Sequence, residues 1–92
     1  MRAFRANRIS DPTETCVFEQ EDKGDTVPGF NLEGSRIEVY TSCYRIGGEE
    51  MFVQTDKAAA DSSGNAEWFR RGQESMALAA RDIDLATAEP AA

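Results

Sequence analysis

Alternating apolar and polar positions predict a β-hairpin in the middle of the chain. Between residues 36 and 46, apolar or β-branched side chains alternate with polar and aromatic ones, which is the period of two typical of a strand with one covered face. Gly47-Gly48 separates this run from a second β-rich run over residues 49–55. Because paired glycines readily adopt the positive φ angles of a tight turn, residues 36–55 are predicted to form an antiparallel hairpin.

Two earlier runs have weaker strand patterns. Within residues 13–20, Cys16 and Phe18 fall on one face and Val17 on the other, so this run is predicted to be a third strand beside the hairpin. Residues 1–10 are predicted to form either a fourth strand at the sheet edge or a basic N-terminal arm.

Residues 21–35 interrupt these patterns, because they contain Gly24, Pro28, Gly29 and Gly34 and few large apolar side chains. This composition predicts a long loop. A structureless loop of this length in a small domain is either functional or unanchored, and both interpretations remain open here.

The C-terminal third predicts one long helix over residues 66–87. It contains no proline, is rich in helix-forming residues and follows several N-cap candidates in residues 61–65. Apolar and small side chains recur every three or four residues and are expected to cover the apolar face of the sheet. This predicted stripe consists of Trp68, Phe69, Gly72, Met76, Ala79, Ala80 and Ile83.

The segments on either side of this helix are less regular. Thr55 or Asp56 can cap a short helical turn that reaches Ala60, with a simple linker as the alternative. Residues 88–92 are expected to fray, since Pro90 ends a helix.

Together these patterns predict a single α+β domain, in which a small antiparallel sheet of three to four strands is covered on one face by one long C-terminal helix. The length of 92 residues is consistent with one domain. Leu, Ile, Val and Phe are scarce, so a thin core is expected, and a binding partner would add to its stability.

Charge is distributed unevenly along the chain. The 17 Asp and Glu residues exceed the 10 Lys and Arg residues, which gives a net charge of −7. The first ten residues nevertheless contain three arginines and no acid. The acidic residues are either a negative face that binds a positively charged partner or a surface that keeps the protein soluble. The acids predicted to bind a partner are Glu19, Glu21, Asp22, Asp25, Glu33, Glu49 and Glu50.

Arg2, Arg5 and Arg8 have two open interpretations. They either contact nucleic-acid phosphates or the partner protein, or form salt bridges with the acidic sheet. Tyr40 and Tyr44 also have two open interpretations. They either anchor a protein interface beside Glu38, or lie under a second layer such as the 21–35 loop.

No residue pattern indicates catalysis, a metal or a cofactor. The chain has no His, and the acids near residue 22 lack the apolar surroundings that would adapt one of them to proton transfer. The calcium-loop pattern is absent, and the two glutamates after Gly47-Gly48 disfavour a phosphate. Cys16 and Cys43 are expected to be reduced, half-buried thiols, with a disulfide as the alternative. No apolar run is long enough for a membrane span, so a cytoplasmic protein is expected.

The acid-rich run over residues 19–25, the 36–55 hairpin and the Ala-rich helix over residues 66–86 resemble the small acidic inhibitors that phages encode. Among these, the chain is most similar to anti-CRISPR proteins that act on type I surveillance complexes. The resemblance implies a non-enzymatic protein that binds the CRISPR effector in the host cytoplasm, blocks its binding of target nucleic acid and contacts its bound RNA. A small phage accessory or structural protein, which self-associates through the hairpin edge, is the alternative.

Overall fold

The computed structural model describes residues 1–91, apart from the side chain of Lys23, and antiparallel strands dominate it. A five-stranded sheet has the order β4-β3-β2-β1-β5. A register shift between Asp22 and Thr26 divides β2 into two segments, so that six antiparallel segments form a curled half-barrel. The elements are β1 Arg2–Arg8, β2 Thr15–Phe30, β3 Arg36–Ile46, β4 Glu49–Asp56, α1 Lys57–Ser62, α2 Ala66–Ala79 and β5 Ile83–Pro90.

The predicted hairpin is confirmed. β3 and β4 pair antiparallel on either side of Gly47 and Gly48, which have φ angles of 58° and 86°. The short helical turn is also present as α1, where the Asp56 carboxylate accepts hydrogen bonds from the N–H groups of Ala58 and Ala59. Local signals of turn and cap chemistry therefore predicted this region correctly.

The predicted fold class is wrong, because residues 1–91 form five strands and two short helices instead of three to four strands and one long helix. The predicted helix over residues 66–87 ends at Ala79. Asp82 adopts a positive φ of 62°, which turns the chain out of the helix. Beyond it, Ile83 and Leu85 are buried on one face of β5. This alternation is typical of a strand, but it is short and lies in an Ala-rich segment that also fits a helix.

The predicted frayed tail is also largely part of β5. Pro90 lies opposite Phe4 of β1, and the Ala91 N–H donates a hydrogen bond of 3.0 Å to the Ala3 carbonyl. Because β5 is an edge strand, a proline is tolerated there. Ala92 lies outside the described residues.

The predicted 21–35 loop is wrong for most of its length, since β2 continues to Phe30 and pairs with β3. Only residues 31–35 form the connecting turn, where the Asn31 side chain accepts from the N–H groups of Glu33 and Ser35. β1 pairs only with residues 15–20 of β2, so the later part of β2, including Pro28, lies at an edge. A proline-containing, polar strand is tolerated at an edge, and its composition is hard to distinguish from that of a loop.

β1 lies between β2 and β5, so residues 2–8 are an interior strand of the sheet instead of a free arm or an edge. The expected strand at residues 13–20 forms the first segment of β2, with Phe18 buried and Val17 exposed as the pattern predicted.

The core lies between the sheet and α2, on the face of β3 that carries the tyrosines. Tyr44, Phe18, Leu78 and Ile83 are almost completely buried there. Phe18 and Tyr44 have ring centroids 5.9 Å apart, which adds aromatic packing to the burial of apolar surface. Tyr44 is therefore covered, as one interpretation held, but by α2 instead of the 21–35 segment, whereas Tyr40 is half-buried and bonds to Asp61 of α1 at the surface.

The orientation of α2 is the reverse of the prediction. Trp68 and Met76, which belong to the predicted core stripe, are 74% and 64% exposed, whereas Glu74 and Leu78 are buried. Trp68, Gly72 and Met76 of the stripe therefore face solvent, whereas Ile83 is buried in β5. Val39 and Cys43, which were expected under the helix, are buried on the other face of β3.

Candidate functional site

The sheet has a second face, opposite the side to which both helices bond, and its central residues Val39, Thr41 and Cys43 are themselves buried. Both helices contact the tyrosine side of β3, where Tyr40 and Tyr44 bond to Asp61 of α1 and Glu74 of α2. Alternate residues of β3 and the residues paired with them therefore point the other way. We call this surface the open face, formed by Arg5, Val17, Glu19, Glu21, Val27, Val39, Thr41, Cys43, Arg45, Glu50, Phe52 and Gln54.

The open face combines exposed apolar side chains with acids. Val17 and Phe52 are 54% and 55% exposed, which is high for large apolar groups on a sheet. Glu21 lies in the same row as Phe52, and Glu19 and Glu50 flank Arg45 in the next row. The surface therefore intersperses exposed apolar groups with acids, and Arg5 and Arg45 lie among them.

One ion pair and one unpaired hydroxyl belong to this face. The Arg45 guanidinium donates to the Glu50 carboxylate at 2.9 Å, which raises the pKa of Arg45 above its ordinary value. The Oγ1 of Thr41 is buried in the centre of the face and lacks a hydrogen-bond partner among the described residues. A buried unpaired hydroxyl is uncommon in a native protein.

On the opposite side, a polar cleft of about 590 Å³ lies between β2 and α2. Arg70 crosses it and donates to both carboxylate oxygens of Asp22 at 3.2 Å, while its guanidinium carbon lies 4.3 Å from the centre of the Tyr40 ring. Arg71 and Glu67 also line the cleft, so positive and negative groups alternate in its lining. The described arrangement is that of a structural contact between helix and sheet.

A buried acid lies at the floor of this cleft. Glu74 is 7% exposed, and its carboxylate accepts a hydrogen bond of 2.7 Å from the Tyr44 hydroxyl. Burial and, to a lesser degree, this bond raise the pKa of Tyr44 above its ordinary value. At Tyr40 the bond to the exposed Asp61 is the main cause of a raised pKa. Both tyrosines thus act as neutral donors within the fold.

The acids predicted to bind a partner do not form one surface. Glu19, Glu21 and Glu50 lie on the open face. Asp22 and Glu49 are instead paired with arginines of the helical side, because Glu49 accepts a bond of 3.0 Å from Arg81. The remaining two are exposed, Asp25 at the β2 register shift opposite the middle of β3 and Glu33 in the 31–35 turn.

The three N-terminal arginines are also dispersed. Arg5 lies on the open face opposite Val17, whereas Arg2 lies over the Phe4 ring and Arg8 donates to the Arg81 carbonyl. Since β1 is an interior strand, the predicted basic arm is not formed.

Sequence reasoning missed the inward side of α2. Glu67, Arg70, Arg71 and Glu74 recur at a spacing of three and four residues, which is itself a helical face. The contact of Arg70 with Asp22, 48 positions away, was not recoverable from local pattern.

The sequence also led to expectations about the cysteines, metal sites and membrane spans. Cys16 is half-buried, Cys43 is buried, and both are free thiols, in agreement with the expectation of reduced cysteines. Within the described part of the chain, no three metal-ligating side chains are grouped to hold an ion. Neither α1 nor α2, the helices of this part, has the length and hydropathy required to cross a membrane.

No protein-family model, curated protein or solved structure matches this chain.

Proposed function

We propose that this protein is a non-enzymatic inhibitor that docks through its open face onto a partner surface lined with Lys and Arg, and thereby excludes nucleic acid from that surface. The observation that carries this proposal is the open face itself, where exposed Val17 and Phe52 are interspersed with Glu19, Glu21 and Glu50. Protein interfaces commonly have an apolar centre that excludes water and a charged rim that selects the partner.

Charge supports the same type of partner. With a net charge of −7, the protein is attracted to basic grooves, which are the surfaces that bind nucleic-acid backbones. The acids set the approach and the apolar residues supply the contact area.

The CRISPR surveillance complex is the specific partner that the sequence resemblance suggests, with the host cytoplasm as the location. The proposal is tested with a purified type I effector complex, a labelled target DNA and this protein in competition. Inhibition should require saturable binding of the protein, and DNA bound beforehand should slow that binding. Simultaneous binding of protein and DNA to the effector contradicts the proposed mode of inhibition.

The role of the open face is tested with Phe52→Ala and Glu21→Lys. Phe52→Ala should mainly accelerate dissociation, whereas Glu21→Lys should slow association several-fold and reduce its dependence on salt. Glu33→Lys is the matched control, because it changes net charge equally but lies in the 31–35 turn. Equal effects of Glu21→Lys and Glu33→Lys on association would mean that net charge alone attracts the partner, and would contradict docking through the open face.

The alternative function is a phage accessory protein that self-associates through the sheet edge. β4 is an edge strand, but its first residues, Glu49 and Glu50, are charged and engaged by arginines. Charged residues of this kind discourage edge-to-edge pairing, so we place this alternative second.

A further inference from the structure

α2 presents an uncharged side to solvent, which is the opposite of the usual amphipathic arrangement. Trp68, Gly72, Met76 and Ala79 recur every three or four residues and are all exposed, and we call them the outward stripe. The charged residues of α2 lie on its other side, where Arg70 and Glu74 contact the sheet. Exposed Trp and Met side chains on one helix face are typical of a surface that another protein covers.

The outward stripe is complementary to itself. Trp68 and Met76 are each four residues from Gly72, so a two-fold axis at Gly72 places Trp68 of one copy against Met76 of a second copy, twice. Contacts of this type between a thioether and an aromatic ring are favourable. Gly72 has no side chain at the axis, which allows the two helix backbones to approach closely.

The lack of charge on the outward stripe distinguishes it from the open face, for which a basic partner is proposed. Two molecules that each carry a charge of −7 repel one another, and an uncharged contact adds least to that repulsion. A basic partner would find no acid to pair with on the outward stripe. We propose that this stripe is the contact between two copies of the chain, whose α2 helices pair antiparallel across Gly72.

The length of the contact sets its strength. The 14 residues of α2 span about 21 Å, and a contact along one helix face of that length buries less than the roughly 1,200 Å² typical of stable complexes. The dimer is therefore weak, with a dissociation constant in the micromolar range or above. It forms on a surface separate from the open face, so it does not depend on the proposed function.

The sole tryptophan of the chain provides a direct test, because Trp68 lies in the outward stripe. Sedimentation velocity and Trp fluorescence are recorded from low micromolar to near-millimolar concentration. We expect a monomer-to-dimer transition, accompanied by a blue shift of the emission and protection from acrylamide quenching. A chain that stays monomeric with unchanged emission overturns the proposal.

Two matched variants locate the contact. Met76→Glu should abolish the dimer, whereas Phe52→Glu should retain it, because Phe52 has a similar exposure but lies on the open face. Circular dichroism verifies that both fold. A dimer that survives Met76→Glu, or that is lost equally in both folded variants, contradicts the assignment.

A cysteine at the axis tests the geometry. No atom lies within 4 Å of a Cβ built on Gly72, so Gly72→Cys fits the monomer. Under mild oxidation it should form a disulfide-linked dimer many-fold faster than Glu67→Cys, which lies on another side of α2. Equal rates for the two variants would reject antiparallel pairing across Gly72.

Discussion

Removal of the Tyr44 hydroxyl tests how much its buried hydrogen bond to Glu74 stabilises the core. In Tyr44→Phe the aromatic ring remains, but the Glu74 carboxylate, which is 7% exposed, loses the donor that lies 2.7 Å away. Water has little access to replace it, since Tyr44 is completely buried. The variant therefore isolates the hydrogen bond from the packing.

The expected loss follows from the burial and charge of the acceptor. A hydrogen bond to a charged group contributes about 1.5–3 kcal/mol, and an unsatisfied buried group costs about 1–3 kcal/mol. We therefore expect Tyr44→Phe to lower the free energy of unfolding by about 2–3 kcal/mol. For a domain of this size, this corresponds to a decrease of roughly 10–20 °C in Tm.

Urea unfolding followed by circular dichroism measures this loss, because the exposed Trp68 is a poor reporter of the core. Tyr40→Phe is the matched control, since the Tyr40 hydroxyl bonds to Asp61 at the surface and water can replace it. Its effect should be much smaller. If Tyr44→Phe changes the free energy of unfolding by less than about 0.5 kcal/mol, the reasoning about the buried pair is refuted.

The same two tyrosines predict a loss of stability in alkali. Burial raises the pKa of Tyr44 and the bond to Asp61 raises that of Tyr40, so both prefer the neutral form when folded. Their contribution is fully present below pH of about 10, the ordinary tyrosine value, and is lost as pH rises through the folded pKa. Ultraviolet titration of Tyr40→Phe should show the remaining tyrosine ionising together with unfolding. Ionisation at the ordinary pH in a folded chain would contradict this.

Three further substitutions test single positions. The Asp82 carboxylate accepts a hydrogen bond of 2.8 Å from the Ser10 N–H, and its bonds to Ser10 lower its pKa. Asp82 therefore stabilises the fold above pH of about 4, and this contribution is lost as pH falls. Asp82→Asn should reduce the loss of stability in acid, measured by urea unfolding against pH, and an unchanged pH dependence would reject this role. A Cβ on Gly29 would lie 3.1 Å from Val39, so Gly29→Ala should cost about 1–3 kcal/mol in urea unfolding, and a neutral result would mean that Val39 can move aside. Gly72→Ala meets no atom and should instead stabilise monomeric protein by about 0.5–1 kcal/mol, and a loss would show that the glycine is needed within the monomer.

The hairpin and the caps could be predicted because their signals are local. Gly47-Gly48 requires only the conformational freedom of two adjacent residues, and Asp56 caps the N–H groups that follow it directly. Interactions over so few residues depend little on the rest of the fold. The same is true of the alternation around Phe18, which assigned its buried face correctly.

The site could be predicted only in part. Glu19, Glu21 and Glu50 do lie together, but only because β2 and β4 flank β3 in a particular register. In the same acid-rich run, Asp22 points to the other side and is paired with Arg70. A difference of one residue changes the face of a strand, so local composition could not separate the two groups.

The amino-acid sequence by itself determined the acidic character, the turn at Gly47-Gly48, the cap at Asp56 and the alternation that places Phe18 and Val17 on opposite faces of β2. Only the tertiary structure decided that residues 83–90 form an edge strand and that α2 buries Glu74 while exposing Trp68. The physical reason is that helical periodicity identifies two faces but does not state which one the sheet will cover. Here the distant Tyr44 and Asp22 offered partners for the charged side, and their hydrogen bonds and ion pair set the orientation.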